Sequence, residues 1–172
     1  VLDIGAGYGM LKDYLFREFS THAKYTGVDV YPKFEGVLPV SDCILPDEVM
    51  QNKFVHVFAI NVFQHLSCRQ RVKYYSQVRK ICSGMFVMTM CFDDPKNNIC
   101  GFRCKENGRR YICHYGQFTL LPYLSELYDE VSEHFHIRSI KHETSMPIAT
   151  FYLIPREFPK PEPTVSSTEV SI

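Results

Sequence analysis

The chain has no excess of charge of either sign: over 172 residues, 19 Lys and Arg are matched by 19 Asp and Glu. A neutral molecule has no overall field to draw in polyanions, so a wrapping or histone-like mode is excluded and any nucleic-acid contact must rest on a local patch. No uninterrupted apolar run approaches the roughly 18 residues of a membrane span, so no membrane partner is expected. Nor does a charged and apolar leader stand before Val1-Leu2-Asp3-Ile4-Gly5, which reads as core strand, so no secretion signal is expected. The seven cysteines are odd in number and lack disulfide-scaffold spacing; most, like Cys82 and Cys91, sit in apolar surroundings. Free thiols in a reducing cytoplasm are the simpler expectation.

What is present suffices for one core. With 45% hydrophobic and 14% aromatic residues the chain can bury a full interior, and its length allows one average domain with a short tail. Apolar runs bounded by turn residues alternate with helix-period stretches, the pattern of a parallel sheet covered by helices. Strands are expected near 1–4, 25–30, 37–40, 54–60, 84–91, 136–142 and 148–154, with helices near 10–19, 67–80 and 118–133 and a shorter one near 46–51. Ser67 is placed to cap the second long helix and Ser83-Gly84 to end it, while Gly116 or Thr119 marks the start of the third. The last two strands leave no room for a crossover helix, so they should form an antiparallel hairpin at the sheet edge. The fold class expected is therefore α/β, a Rossmann-like, seven-stranded, mostly parallel sheet with an antiparallel C-terminal hairpin and helices on both faces. No internal repeat is visible.

Two segments break the pattern. Residues 92–116 form a long insertion with five Lys and Arg against three Asp and Glu, and four aromatics, for which a hairpin with a function is expected. Residues 157–172 hold three prolines, several Ser and Thr and little that could pack; they read as a disordered tail or linker after a 1–156 domain.

The most informative stretch is Val1-Leu2-Asp3-Ile4-Gly5-Ala6-Gly7-Tyr8-Gly9, an apolar strand running into a glycine-rich turn and then a helix from Met10. Such a turn lets a ligand approach the main chain beside a helix N-terminus, which suits a nucleotide-like cofactor. About twenty residues on, Tyr25-Thr26-Gly27-Val28-Asp29 is a second strand ending in an acid, placed to accept both hydroxyls of a ribose. Asp3 is read either as part of this site or as a partner of the turn's own amides.

The G-x-G-x-G spacing resembles the class I S-adenosylmethionine-dependent methyltransferases, and further elements follow in that family's order. Ser41-Asp42-Cys43 is similar to the acid-containing turn that contacts the adenine amino group, and Phe54 to Leu66 (FVHVFAINVFQHL) to the fourth strand with its following His-Leu. Ser83 to Met88 resembles the turn entering strand five. The resemblance spans roughly residues 1–155. It implies S-adenosyl-L-methionine as cofactor, with S-adenosyl-L-homocysteine as product. Carried over by position, Asp3, Gly5, Ala6, Gly7, Gly9, Asp29, Val30, Asp42, Cys43, Asn61 and Val62 would bind it. Two departures stand out. Phe54 is followed by Val55 and His56 where many members carry Asp, and the chain begins on the glycine motif with no covering helices before it. The uncovered sheet suggests a homodimer.

For the acceptor side, Asn61, Phe63, Gln64 and His65 fall at the carboxyl rim of the fourth strand, where an aromatic could stack on a planar substrate. His65 is equally read as a buried core histidine. In the insertion Arg103, Lys105, Arg109 and Arg110 are read equally as a solvated loop or, interleaved with Phe102, Tyr111 and Tyr115, as a strand-tracking RNA contact. Cys91, Cys100, Cys104, Cys113 and His114 invite a zinc reading, but without C-x-x-C pairs free packed thiols are favoured and no structural metal is expected.

The Lys-Asp-Lys-Glu set that the resembling ribose methyltransferases place around their acceptor is missing. A ring nitrogen such as guanine N7 offers its lone pair at neutral pH and needs no general base, so positioning by Asn61, Phe63 and His65 would suffice. The expectation is thus an RNA cap guanine-N7 methyltransferase with capped RNA as partner, and Tyr111 to Leu127 is loosely similar to the substrate side of such enzymes. The cysteine-rich composition and a tail similar to a polyprotein linker point to a virus-encoded version, of the kind in large invertebrate nidoviruses such as the okaviruses, acting in the host cytoplasm. The alternatives are a small-molecule or protein methyltransferase, for which His65 could serve as base, and a non-catalytic methyltransferase-like binding module.

Overall fold

A computed structural model describes residues 1–19, 24–93, 111–114, 117–142 and 147–156. In chain order the elements are β1 (Leu2–Ile4), α1 (Met10–Phe19), β2 (Thr26–Asp29), β3 (Val37–Pro39), α2 (Asp47–Met50), β4 (Phe54–Ile60), α3 (Cys68–Ile81), β5 (Cys82–Cys91), β6 (Tyr111–His114), β7 (Gln117–Leu120), α4 (Leu124–Ser132), β8 (Phe135–His142) and β9 (Ile148–Pro155), with a single 3-10 turn at Phe63–His65. Seven strands form one sheet in the order β3-β2-β1-β4-β5-β9-β8. The first five are parallel; β9 runs antiparallel to both β5 and β8. The C-terminal hairpin is present as expected, but its second strand inserts beside β5 and only β8 lies at the edge.

The sheet reverses its winding at β1, since the chain moves from β1 to β2 on one side and later from β4 to β5 on the other. Right-handed crossovers in opposite directions put their helices on opposite faces, so α1 covers one face and α3 the other. The α3 face is the main core: Leu2, Val57, Ala59, Phe86, Met88, Phe151 and Leu153 are fully buried there, with Tyr75, Phe63 and Phe135 packed on them. On the α1 face, Ile60 and Ile154 stay about two-fifths exposed. Among the described residues no helix is long and apolar enough to cross a membrane.

Three boundaries differ from expectation. The third long helix begins at Leu124, not near 118; Gln117–Leu120 is the strand β7, paired with β6 from Tyr111↔Leu120 to His114↔Gln117. Pro122 explains the break, because the residue before a proline is pushed out of helical geometry. The Tyr123 amide then donates to the Glu126 side chain at 3.0 Å to open α4; Thr119 lies inside β7, and Gly116 is outside the described residues. Consequently the expected hairpin of the insertion lies across its end, at 111–120. Ser83-Gly84 does not terminate α3, which stops at Ile81. These two residues form a bulge inside β5, where the register shifts between Phe54 and His56 and a Cβ on Gly84 would come within 2.5 Å of the Val55 carbonyl oxygen. Ser67 does cap α3, accepting from the Gln70 amide while the Gln70 side chain accepts from the Ser67 amide.

Candidate functional site

The glycine turn is fastened to the second strand before it opens into the helix. The amides of Gly5 and Ala6 both donate to the Val28 carbonyl, at 2.8 and 3.1 Å, and Gly9 closes the turn onto Ala6 at 2.8 Å. Gly5 adopts φ 77° and packs so closely that a Cβ there would stand 2.2 Å from Val62 Cγ2. Gly7, at φ 51°, is different: the nearest atom to its missing Cβ is 3.8 Å away, so its main chain borders open space a ligand can enter. Gly9 is buried beneath the Phe34 ring.

Asp29 ends β2 beside that opening. Its Oδ2 accepts from the Gly7 amide at 2.8 Å and its Oδ1 from the Tyr31 amide at 2.7 Å. An ionised carboxylate has about four lone-pair directions, so two remain for outside donors. Val30 and Tyr31 continue from it with more than half of their surface exposed. Asp3 lies below, only 4% exposed, and takes its hydrogen bond from the Tyr25 hydroxyl at 2.7 Å rather than from the turn's amides. Burial pushes the Asp3 carboxyl above its ordinary range, the Tyr25 bond pulls it back, and the Asp29 charge adds to the upward push.

The next turn carries two consecutive left-handed residues, Asp42 (φ 50°) and Cys43 (φ 60°). Asp42 is exposed, whereas the Cys43 side chain is core and burial pushes its thiol up. Gln77 of α3 fixes this turn from both ends, donating to the Cys43 carbonyl at 2.8 Å and accepting from the Leu45 amide at 2.7 Å.

At the end of β4, Asn61 is again left-handed, at φ 55°. Its amide donates to Thr89 Oγ1 at 2.8 Å, and that hydroxyl donates to Asn61 Oδ1 at 3.1 Å. Gln64 Oε1 accepts from the Cys91 amide at 3.2 Å, a second tie from the rim to β5. Phe63 corrects the sequence reading. The 3-10 turn carries its ring inward, fully buried against Tyr74, Tyr75 and Phe86 at centroid distances of 5.4, 5.6 and 6.0 Å, so it stacks on the core and offers no face to a substrate. Gln64, at 8% exposure, is also turned in. His65 is half-buried at the rim.

The carboxyl rim therefore brings together Gly5, Ala6, Gly7, Asp29, Val30, Asn61 and Val62, with Asp42 and Cys43 at the neighbouring turn. Phe102, Arg103, Lys105, Arg109, Arg110, Tyr115, Cys100 and Cys104 lie outside the described residues; Tyr111, Cys113 and His114 are on β6. Among the described residues no three His, Cys, Asp or Glu side chains converge as a metal site, and Cys43, Cys68 and Cys82 are in no disulfide. Tyr25, Gln77 and Thr89 escaped the sequence reading, because each acts on a partner more than twenty residues away and no local spacing marks it.

No protein-family model and no curated protein sequence matches the chain. Solved structures do. The glycopeptide N-methyltransferase MtfA shares 11% identity over 90% of this chain and 88% of its own, with a TM-score of 0.64. The 1,6-didemethyltoxoflavin-N1-methyltransferase of Burkholderia thailandensis, solved with S-adenosylhomocysteine, shares 16% identity over 91% and 70%, with a TM-score of 0.62. The protein PH0226 of Pyrococcus horikoshii shares 15% identity over 90% and 81%, with a TM-score of 0.64. At these identities the likeness is one of architecture, and the architecture is definite: the chain has the Rossmann-like fold of the S-adenosylmethionine-dependent methyltransferases.

Proposed function

We propose that the chain is an S-adenosyl-L-methionine-dependent methyltransferase acting on a nitrogen of a small molecule or peptide. The observation that carries the reading is the Asp29 carboxylate bonded to the Gly7 amide at the winding reversal of a methyltransferase-type sheet. Open α/β sheets bind ligands at that crevice. The donor set fits the cofactor. Asp29 keeps two lone-pair directions for the ribose hydroxyls, Gly7 leaves its backbone approachable, and the exposed Val30, Tyr31 and Asp42 would flank the adenine.

When bound, the cofactor supplies a sulfonium methyl whose carbon takes the acceptor's lone pair as its bond to sulfur breaks. The rim that faces this chemistry, Asn61 and Val62, holds no titratable group before the half-buried His65. Such a rim orients an acceptor that needs no deprotonation, which is the case for a neutral ring or amine nitrogen. Two of the structural neighbours are N-methyltransferases by name. The cap-guanine expectation loses the support it drew from Phe63 and Gln64, which are turned into the core; of its insertion residues Tyr111 is on β6 and the others lie outside the described residues. A homodimer remains part of the proposal, motivated by Ile60 and Ile154 on the α1 face, and a concentration-independent monomer mass in light scattering removes it.

The test is calorimetric titration with S-adenosylhomocysteine, followed by labelled methyl transfer to a panel of amines, heterocycles, peptides and guanosine-capped RNA. Saturable binding and transfer to a nitrogen acceptor are expected. No binding sinks the methyltransferase reading; transfer to capped RNA alone restores the cap reading in its place. A rate whose acidic limb disappears in His65→Gln would make His65 a general base and remove the claim of positioning alone.

A further inference from the structure

We propose that Thr89 is a positioning residue of this site, whose one hydroxyl, bonded to both the amide and the side chain of Asn61, holds the β4 rim where the amino-acid arm of the cofactor passes. The inference rests on the methyltransferase reading above. Asp29 ends β2 and the Asp42-Cys43 turn follows β3, so a nucleoside anchored there extends its remaining arm the other way, over β1 toward β4. What that arm meets beyond the glycine turn is Asn61 and Val62.

Asn61 stands in the left-handed region, which a non-glycine residue occupies at a cost and keeps only where its surroundings hold it. The holding groups come from β5. Thr89 grips Asn61 through two bonds, at 2.8 and 3.1 Å, and two residues further the Cys91 amide grips Gln64. Val62, next to Asn61, is in turn the side chain that fills the space above Gly5. A movement of Asn61 is therefore passed directly to the glycine turn. The Thr89 bond takes Asn61 Oδ1 and leaves the side-chain N–H donors unused by Thr89, the polarity suited to a carboxylate on the arm.

Both Thr89 bonds are solvent-exposed, so removing the hydroxyl lets water take over the freed groups and the fold stays intact. This makes the role separable from stability. Thr89→Val and Thr89→Ser would be titrated with two probes: S-adenosylhomocysteine, and 5′-methylthioadenosine, which keeps the nucleoside and lacks the amino-acid arm. Thr89→Val should weaken S-adenosylhomocysteine about tenfold while leaving methylthioadenosine within about twofold, and Thr89→Ser should restore the first. Equal loss of both probes, no loss of either, or failure of Thr89→Ser to rescue each overturns the inference. A wild-type chain that binds neither probe overturns the methyltransferase reading and this inference with it, whereas a wild type that binds both and is matched by Thr89→Val overturns the inference alone.

Discussion

Arg71 and Asp29 each gather several hydrogen bonds, and they do so in opposite surroundings. Arg71 of α3 is 4% exposed; its Nε donates to Glu130 Oε1 at 2.7 Å, a second guanidinium nitrogen donates to Glu130 Oε2, and the third to the Leu66 carbonyl at 2.8 Å. The Tyr75 hydroxyl also donates to Glu130, at 2.9 Å. This cluster closes on itself and ties α3 to α4, its donors and acceptors answering one another in the interior. Asp29 takes only backbone amides, from Gly7 and Tyr31, and stands half-buried at the rim with lone pairs to spare. A charged group whose bonds are all internal holds the fold; one with lone pairs to spare at the rim is open to solvent or to a ligand.

The contrast predicts that stability and binding separate cleanly. Arg71→Ala should have the largest effect, about 3–5 kcal/mol of lost stability, because it strands the Glu130 carboxylate in a nearly buried place. Replacing both partners, Arg71→Met with Glu130→Leu, should recover most of that loss, since apolar groups of similar volume need no partner. Urea unfolding of the three proteins decides the matter. A loss under about 1 kcal/mol in Arg71→Ala would mean the pair is effectively solvated.

Asp29→Ala should do the reverse. Its unfolding midpoint should stay near that of the wild type, while affinity for S-adenosylhomocysteine falls by about 2–4 kcal/mol through lost charge-assisted bonds to the ribose. Unchanged affinity would sink the cofactor assignment, and a collapse of the fold would show that Asp29 serves the glycine turn more than any ligand.

The same contrast governs what could be read from the sequence. The glycine turn was legible because its requirement is local: Gly5 and Gly7 need positive φ, and the turn carries its own spacing. Asp29 was legible because it ends a strand of obvious pattern. Phe63 was not, since an aromatic after β4 looks like a rim residue until the 3-10 turn swings it under Tyr74 and Tyr75. The apolar spacing of 118–120 fits the first turn of a helix as well as a strand; the pairing partner that decides for strand, β6, lies in a segment whose pattern is irregular. Thr89, Gln77 and the Arg71–Glu130 pair depend on contacts between elements, so nothing in their neighbourhoods announces them.

The smallest expected effect sharpens the closed cluster from its other side. His134, just after α4, packs its ring on Tyr75 at 5.3 Å and against Phe135 at 6.5 Å, and both ring nitrogens are buried without a hydrogen-bond partner among the described residues. Burial lowers its proton affinity, the Arg79 charge lowers it further, and Glu133 and Glu130 oppose the shift only in part. A histidine whose folded-state pKa lies below its unfolded value of about 6.5 is bound as the neutral ring, so it contributes stability above that pH. As pH falls below about 6.5 the unfolded chain takes up the proton first, and stability declines until the folded-state pKa is passed. Asp3, whose carboxyl burial pushes upward, acts in the opposite sense in both proteins. The histidine's share is therefore the difference in slope between the wild type and a variant at position 134 between pH 7.5 and 5.5. His134→Phe keeps the packing on Tyr75 and removes both unpaired nitrogens, so it should match or exceed the wild type at pH 7.5 and lose less stability on acidification. Parallel slopes for the two proteins in urea unfolding across that interval would show that His134 is solvated in both charge states and lies outside the closed cluster.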